Sequence, residues 1–221
     1  MALGIVAIAS IQGCGNPYHK LDSRTYTVRS GDTVYSIAWR HGVDYRDVAR
    51  LNRLPADYRI YPGQVLRLPP PSGKPQPPPP AAKTNTPTGK PPAPPAAEDV
   101  AVWVWPTDGE IAAVRYAPTD SQGLTITGKE GQVVRASAAG KVVYTGSGLR
   151  GFGNLLIIKH SNVFLSAYGH NQELKVKEGD EVAAGQPVAS MGLGPGQTPM
   201  LYFEIRYNGH PVDPRWYLPP R

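Results

Sequence analysis

The sequence predicts two small domains on one chain: an α+β domain of strand, helix, helix, strand order and a larger all-β domain, separated by a proline-rich spacer. Three observations carry that expectation. Of 25 prolines in 221 residues, 13 fall within residues 69–97, beside three lysines, no acid and no residue larger in apolar area than Ala or Pro. Such a stretch cannot bury enough surface to fold and should populate polyproline II. Residues 26–69 set apolar side chains at helical spacing between two short alternating runs. Residues 98–221 are short apolar runs punctuated by glycine, with no helical period.

Taken in order, residues 3–11 (LGIVAIASI) form an apolar run about nine long, too short for a permanent transmembrane helix and suited to the core of an export signal. Cys14 is the single cysteine, so neither an intramolecular disulfide nor a cysteine-built zinc site can form. The segment Ile11-Gln12-Gly13-Cys14 resembles a bacterial lipobox, which implies cleavage after residue 13 and a lipidated Cys14. With no acid directly after Cys14, the resemblance points to the periplasmic face of the outer membrane, where three acyl chains would anchor firmly. The competing reading of Cys14 is a buried residue closing a short apolar helix. Residues 14–25 then serve as a polar tether.

In residues 26–69, Tyr26-Thr27-Val28-Arg29 alternates as a strand, and Gly31-Asp32-Thr33 turns the chain, with Asp32 or Thr33 placed to cap a helix. Val34, Ile37 and Ala38 recur at helical spacing up to Gly42, a helix stop. A second helix runs from near Asp44 to Asn52, ended by Pro55, and Val65–Leu68 is the closing strand. The spacer, residues 70–97, would reach about 90 Å at roughly 3.1 Å per residue if fully extended. A PxxP ligand for a partner domain is its other reading.

Beyond it, residues 132–136, 140–144, 154–160, 164–168 and 201–207 read as strands, the segment 176–188 continues the pattern, and Asn208-Gly209 signals a hairpin. The chain carries 23 Lys+Arg against 17 Asp+Glu, a net charge of +6. That mild excess favours an acidic polymer or a membrane surface as neighbour. No basic run or aromatic-interleaved basic patch is present, so nucleic acid is not the expected partner.

The stretch YTVRSGDTVYSIAWRHGV, the Asn52 of ARLN and the ending YPGQVLRLP resemble a LysM domain across the whole of 26–69. The resemblance implies binding of N-acetylglucosamine-containing glycan. The implied groove lies between Gly31, Asp32, Thr33 and Val34 after the first strand and Leu54, Ile60, Tyr61 and Pro62 before the second. Backbone amides and Asp32 would meet acetamido and hydroxyl groups while apolar side chains cover sugar faces. No acid pair suited to glycoside hydrolysis is evident in the block.

Residues 98–221 carry WPTDGEI, SQGLTI, ASAAGKVVYTGSGLRGFGNLLIIKH, LSAYGHNQELKVKEGDEVAAGQPVASMG and LYFEIRYNGHPVDPRWYLP. Together these resemble the LytM, or lysostaphin-like, zinc endopeptidase domain. With the lipobox, LysM block and spacer, the chain resembles the NlpD type of the murein hydrolase activator (NlpD/EnvC) family. Active LytM enzymes hold zinc with His and Asp of H-x-G-x-D and the second His of H-x-H, leaving one position for water. By resemblance, Ser121, Thr125 and Tyr202 occupy those ligand positions, and Met200 stands where the first His of H-x-H would act. Only the His of Y-x-H persists, as His170.

A neutral hydroxyl is a poor substitute for imidazole or carboxylate, so no metal, cofactor or catalytic residue is expected. His160 belongs to a strand, His210 to a surface turn, and His19 and His41 lie outside the domain; a rearranged site of His160, His170 and an acid is the alternative. The resemblance implies a non-enzymatic activator of an N-acetylmuramoyl-L-alanine amidase at the division septum. It would grip peptidoglycan through LysM and the amidase through a groove bounded by Ser121, Thr125, His170, Met200 and Tyr202. The competing functions are a zinc peptidoglycan endopeptidase and a structural tether between the outer membrane and peptidoglycan.

Overall fold

The computed structural model describes residues 24–70, 100, 102–114 and 122–221. Cys14, the leader and tether before residue 24, the spacer from 71 to 99, and Ser121 lie outside the described residues.

The N-terminal domain pairs β1 (Arg24–Thr27) antiparallel with β2 (Val65–Leu68), Arg24 opposite Leu68. Between them lie α1 (Val34–His41) and α2 (Tyr45–Leu51). The first strand begins two residues earlier than the alternation suggests. Val28 instead closes the sheet end through its amide to the Gln64 carbonyl at 2.9 Å and its carbonyl to the Gly63 amide at 2.8 Å. Thr33, not Asp32, caps α1: its hydroxyl accepts from the Ser36 amide at 3.1 Å, and the Ser36 hydroxyl accepts from the Thr33 amide at 3.0 Å. This reciprocal box satisfies two donors that a helix start leaves open. Gly42, at φ 63°, ends α1 in a left-handed turn. Asp44 caps α2 through the Arg46 amide at 2.8 Å.

At the far end of α2, the Asn52 side-chain amide donates to the Val48 carbonyl at 2.8 Å and the Arg67 carbonyl at 2.7 Å, while its oxygen accepts from the Arg67 amide at 2.7 Å. One side chain thereby ties the end of α2 to β2. Val34, Ile37, Val48 and Leu66 fill the space between helices and hairpin.

The C-terminal domain is one antiparallel sheet of ten strands among the described residues. They are β3 (Ile111–Ala113), β4 (Leu124–Thr127), β5 (Val133–Arg135), β6 (Gly140–Gly146), β7 (Asn154–Lys159), β8 (Phe164–Leu174), β9 (Glu181–Val182), β10 (Pro187–Leu193), β11 (Pro199–Tyr207) and β12 (His210–Val212). The main path runs β3-β4-β11-β10-β8-β7-β6-β9, with β11 also paired to β8 and β12, and β5 to β10. Two short 3-10 turns, Pro195–Gln197 and Pro214–Trp216, are the helical segments described here. His210 is not a turn residue: it opens β12 opposite Tyr207, because the Asn208-Gly209 turn returns the chain directly into pairing with β11.

Alternation along β11 separates two cores. Leu201, Phe203 and Ile205 point into a cluster with Leu124, Ile126 and Tyr168. Met200 and Tyr202 point the other way, into a cluster that is continuous with the core of the N-terminal domain. The two domains are thus packed against each other. Trp39 of α1 is 3% exposed, and the Arg206 guanidinium lies over its ring at 3.6 Å and donates to its carbonyl at 3.2 Å. Truncating a buried tryptophan costs about 3–5 kcal/mol, so this side chain anchors the seam. Arg46 reaches the Asn208 side-chain oxygen at 2.6 Å, and the Tyr45 hydroxyl donates to the Asn162 carbonyl at 3.1 Å. Gly209 is required at the seam on two counts: its φ is 78°, and a Cβ there would lie 2.7 Å from the Asp44 Cα.

Candidate functional site

The glycan-binding expectation falls on two loops of the N-terminal domain. Asp32, Thr33, Val34 and Ile60 line one cleft of about 370 Å³, together with Tyr35, Asp57, Tyr58 and Arg59. Val142, Val143, Glu178 and Gly179 of the C-terminal domain form its opposite wall. Gly31 sits in the turn that enters this cleft at φ 79°, while Leu54, Tyr61 and Pro62 are outside its lining. Tyr61 is 62% exposed, a large aromatic face open to solvent. The Asp32 carboxylate faces inward: it accepts from the Tyr26 hydroxyl at 2.7 Å and the Arg29 amide at 2.8 Å, and Arg40 stands 3.4 Å away. Its work in this arrangement is to hold the loop. The Val34 side chain, 1% exposed, packs into the domain core.

The second expected groove is assembled by three adjacent strands. Cross-strand register sets Tyr202 of β11 opposite Thr125 of β4 on one side and Gly169 of β8 on the other. His170 follows Gly169 in a left-handed conformation, φ 61°, with its amide donating to the Phe152 carbonyl at 2.7 Å. The Tyr202 ring packs on Phe152 with centroids 5.2 Å apart. A Cβ on Gly123 would lie 2.4 Å from that ring, and one on Gly194 would lie 2.2 Å from the Met200 sulfur. Tyr202 is fully buried, and His170 and Met200 are 6% and 8% exposed. Of the five groove residues, then, Thr125, His170, Met200 and Tyr202 come together as a packed floor.

Among the described residues, no group of three or more His, Cys, Asp and Glu side chains is arranged to hold a metal ion. The Glu204 carboxylate is committed elsewhere: the Tyr202 hydroxyl donates to it, and Arg206 donates to its other oxygen at 2.5 Å. Burial holds the His170 imidazole below its ordinary range.

His160 is a structural imidazole. Its Nδ1 lies 2.8 Å from the Ala139 carbonyl, which can only accept, so Nδ1 carries the proton; Nε2 lies 2.7 Å from the Ser166 hydroxyl. Ser166 is in turn 2.9 Å from the Tyr168 hydroxyl, which accepts from the Ser137 amide at 2.8 Å. Burial pushes the His160 pKa down to about 4, against the opposing pull of the Ala139 carbonyl.

Sequence reasoning missed the chain that links this floor to the N-terminal domain. Tyr202, Glu204 and Arg206 alternate along one face of β11, and Arg206 ends on Trp39. A signal existed: Glu and Arg at alternate positions within the apolar run LYFEIRY need buried partners unless that face meets solvent.

Comparison with known proteins covers both domains. The LysM domain family matches residues 26–69, and peptidase family M23 matches residues 119–214. The lipoprotein NlpD/LppB homolog of Pseudomonas aeruginosa is 40% identical over 90% of this chain and 78% of its own length. The outer membrane antigenic lipoprotein B of Histophilus somni is 39% identical over 89% and 68%. The murein hydrolase activator NlpD of Escherichia coli is 34% identical over 93% and 70%.

Proposed function

Since this chain belongs to the NlpD family of lipoproteins built from a LysM and an M23 domain, we propose that it is a non-catalytic activator of a cell-wall N-acetylmuramoyl-L-alanine amidase. The reading places it on the periplasmic face of the outer membrane through a lipid on Cys14, enriched at the division septum, with LysM engaging peptidoglycan. One observation carries the non-catalytic part. At the M23 floor a buried tyrosine ring fills the space beside Thr125 and Gly169, and the nearest acid on its strand, Glu204, is bound to that tyrosine and to Arg206.

An activator must bind the active form of the amidase better than the inactive form, since equal affinity for both shifts no population. His170, Met200 and Tyr202 are buried, so their role is to shape the floor, with half-buried Thr125 on the amidase-facing rim; Ser121, the fifth residue of the groove, lies outside the described residues. Glycan contact falls to the backbone at Gly31 to Val34 and to Leu54, Ile60, Tyr61 and Pro62, with Asp32 as the internal brace.

The test is dye release from labelled sacculi by the full-length protein, alone and with an amidase of the same bacterium. Release in the mixture and none from either protein alone is expected. Chelator-sensitive release by this protein alone would overturn the reading in favour of an endopeptidase. Absence of any stimulation of an otherwise competent amidase would leave a tether between membrane and wall.

A further inference from the structure

On the other side of the Arg40–Asp32 pair from the glycan cleft, a second and larger cleft of about 660 Å³ opens between the two domains. Four arginines line it, Arg29 and Arg40 from LysM and Arg150 and Arg206 from the M23 domain, with His41, and no acidic side chain does. Arg206 is neutralised by Glu204, and Arg40 is shared among Asp32, the Tyr26 hydroxyl and the Gly148 carbonyl. Arg29 and Arg150 are exposed, and neither guanidinium has an acidic partner among the described residues. Trp39, Phe152 and Leu149 supply an apolar wall beside them.

We propose that this seam is a site for an anionic peptide, namely the carboxylate-bearing stem peptide of peptidoglycan whose glycan lies in the adjoining LysM cleft. The proposal rests on the LysM domain binding peptidoglycan, and three features favour this occupant. Planar guanidinium forks match carboxylates two hydrogen bonds at a time. Arg29 and Arg150 add positive charge that no acidic side chain among the described residues offsets, which a bound anion relieves. The His41 imidazole on the cleft lining is held below its ordinary range, by burial first and then by Arg40 and Arg24.

Position completes the argument. Asp32 lines the glycan cleft while its ion-pair partner Arg40 lines this one, so a sugar in the first presents its peptide substituent toward the second. Arg29 and Arg150, both exposed, then take the carboxylates of the diacid residues. Because Arg29 and Arg150 belong to different domains, the site is complete only when the domains are packed together, and the ligand acts as a clamp across the seam.

The experiment measures dissociation constants for full-length protein in detergent micelles against three glycan oligomers of equal length: one bare, one carrying stem peptides, and one whose peptide carboxylates are amidated. Wild type should bind the peptide-bearing oligomer about tenfold or more tightly than the other two. Arg29→Gln with Arg150→Gln should remove that preference and leave affinity for the bare glycan unchanged. Both side chains are exposed, so folding is not at stake, and an unaltered far-ultraviolet spectrum confirms it.

Equal affinity of wild type for all three oligomers would overturn the stem-peptide site while leaving LysM glycan binding intact. Failure of wild type to bind any of them would overturn both. Anionic lipid vesicles, bound by wild type and released by the double variant when the oligomers show no preference, would reassign the cleft to a membrane surface. Amidase stimulation is read separately, so the outcome for activation does not decide this one.

Discussion

Replacing Arg206 with methionine isolates the link between the M23 floor and the LysM domain. The substitution keeps a long apolar stem and deletes three contacts: the 2.5 Å bond to Glu204, the 3.2 Å bond to the Trp39 carbonyl, and the guanidinium stacked 3.6 Å from the Trp39 ring. What remains is a carboxylate with 0% exposure that still accepts from the Tyr202 phenol. Breaking a buried pair by removing one partner costs about 3–5 kcal/mol, because the other charge stays behind uncompensated. Solvent screening offers little discount at 7% and 0% side-chain exposure.

Glu204→Gln in the same chain removes that stranded charge, so the double variant should recover much of the loss, with a coupling of about 2 kcal/mol or more in the cycle. Urea unfolding at pH 7, followed by circular dichroism for wild type, both single variants and the double, supplies the four free energies. A loss below about 1 kcal/mol for Arg206→Met, or strict additivity across the cycle, would refute the account of a buried chain running from Tyr202 to Trp39.

His160 should make stability fall with acid. Its folded pKa of about 4 lies below the value of 6.5 in the unfolded chain, so its contribution is full above pH 6.5 and is lost as pH falls toward 4. That amounts to about 2 kcal/mol by pH 5 and about 3 by pH 4; an imidazole resonance of His160 titrating near 6.5 would contradict it. Asn52→Ala deletes three hydrogen bonds between α2 and β2 and should cost about 1–3 kcal/mol, measured as a lower melting temperature and weaker sacculus binding in sedimentation. Gly209→Ala forces a Cβ to 2.7 Å from the Asp44 Cα at φ 78°, a strain of about 1 kcal/mol or more before the clash is counted. It should speed amide hydrogen exchange at Trp39 and along α1 while the interior of β8 stays protected, and unchanged exchange at Trp39 would show that the seam does not depend on this approach.

Much of the architecture was legible because it follows from local rules. Thr33 and Gly42 bound α1 through capping and a left-handed stop, Asp44 and Asn52 bound α2, and Asn208-Gly209 turns β11 into β12. Each depends on a few neighbouring residues, so spacing along the chain suffices. β3 and β4 were not read, since strands of three and four residues are too short for alternation to register and exist through their partners. The groove was half legible. Thr125, Met200, Tyr202 and His170 were picked by motif position, and the register of β4, β11 and β8 brings Thr125, Tyr202 and the Gly169–His170 step side by side. Their burial was not readable, because it depends on Phe152 and on glycines 123 and 194, which are distant in sequence.

By itself the sequence determined two domains of given class and their turns and caps. Those properties reside in residue type and short-range spacing. Only the tertiary structure decided that the domains share a packed seam, that the Asp32 carboxylate accepts from the Tyr26 hydroxyl and the Arg29 amide, and that Arg29 and Arg150, 121 positions apart, open onto one cleft. Such pairings are set by how side chains far apart in the chain fill a common space and satisfy one another's charges, and no periodicity along the chain encodes that.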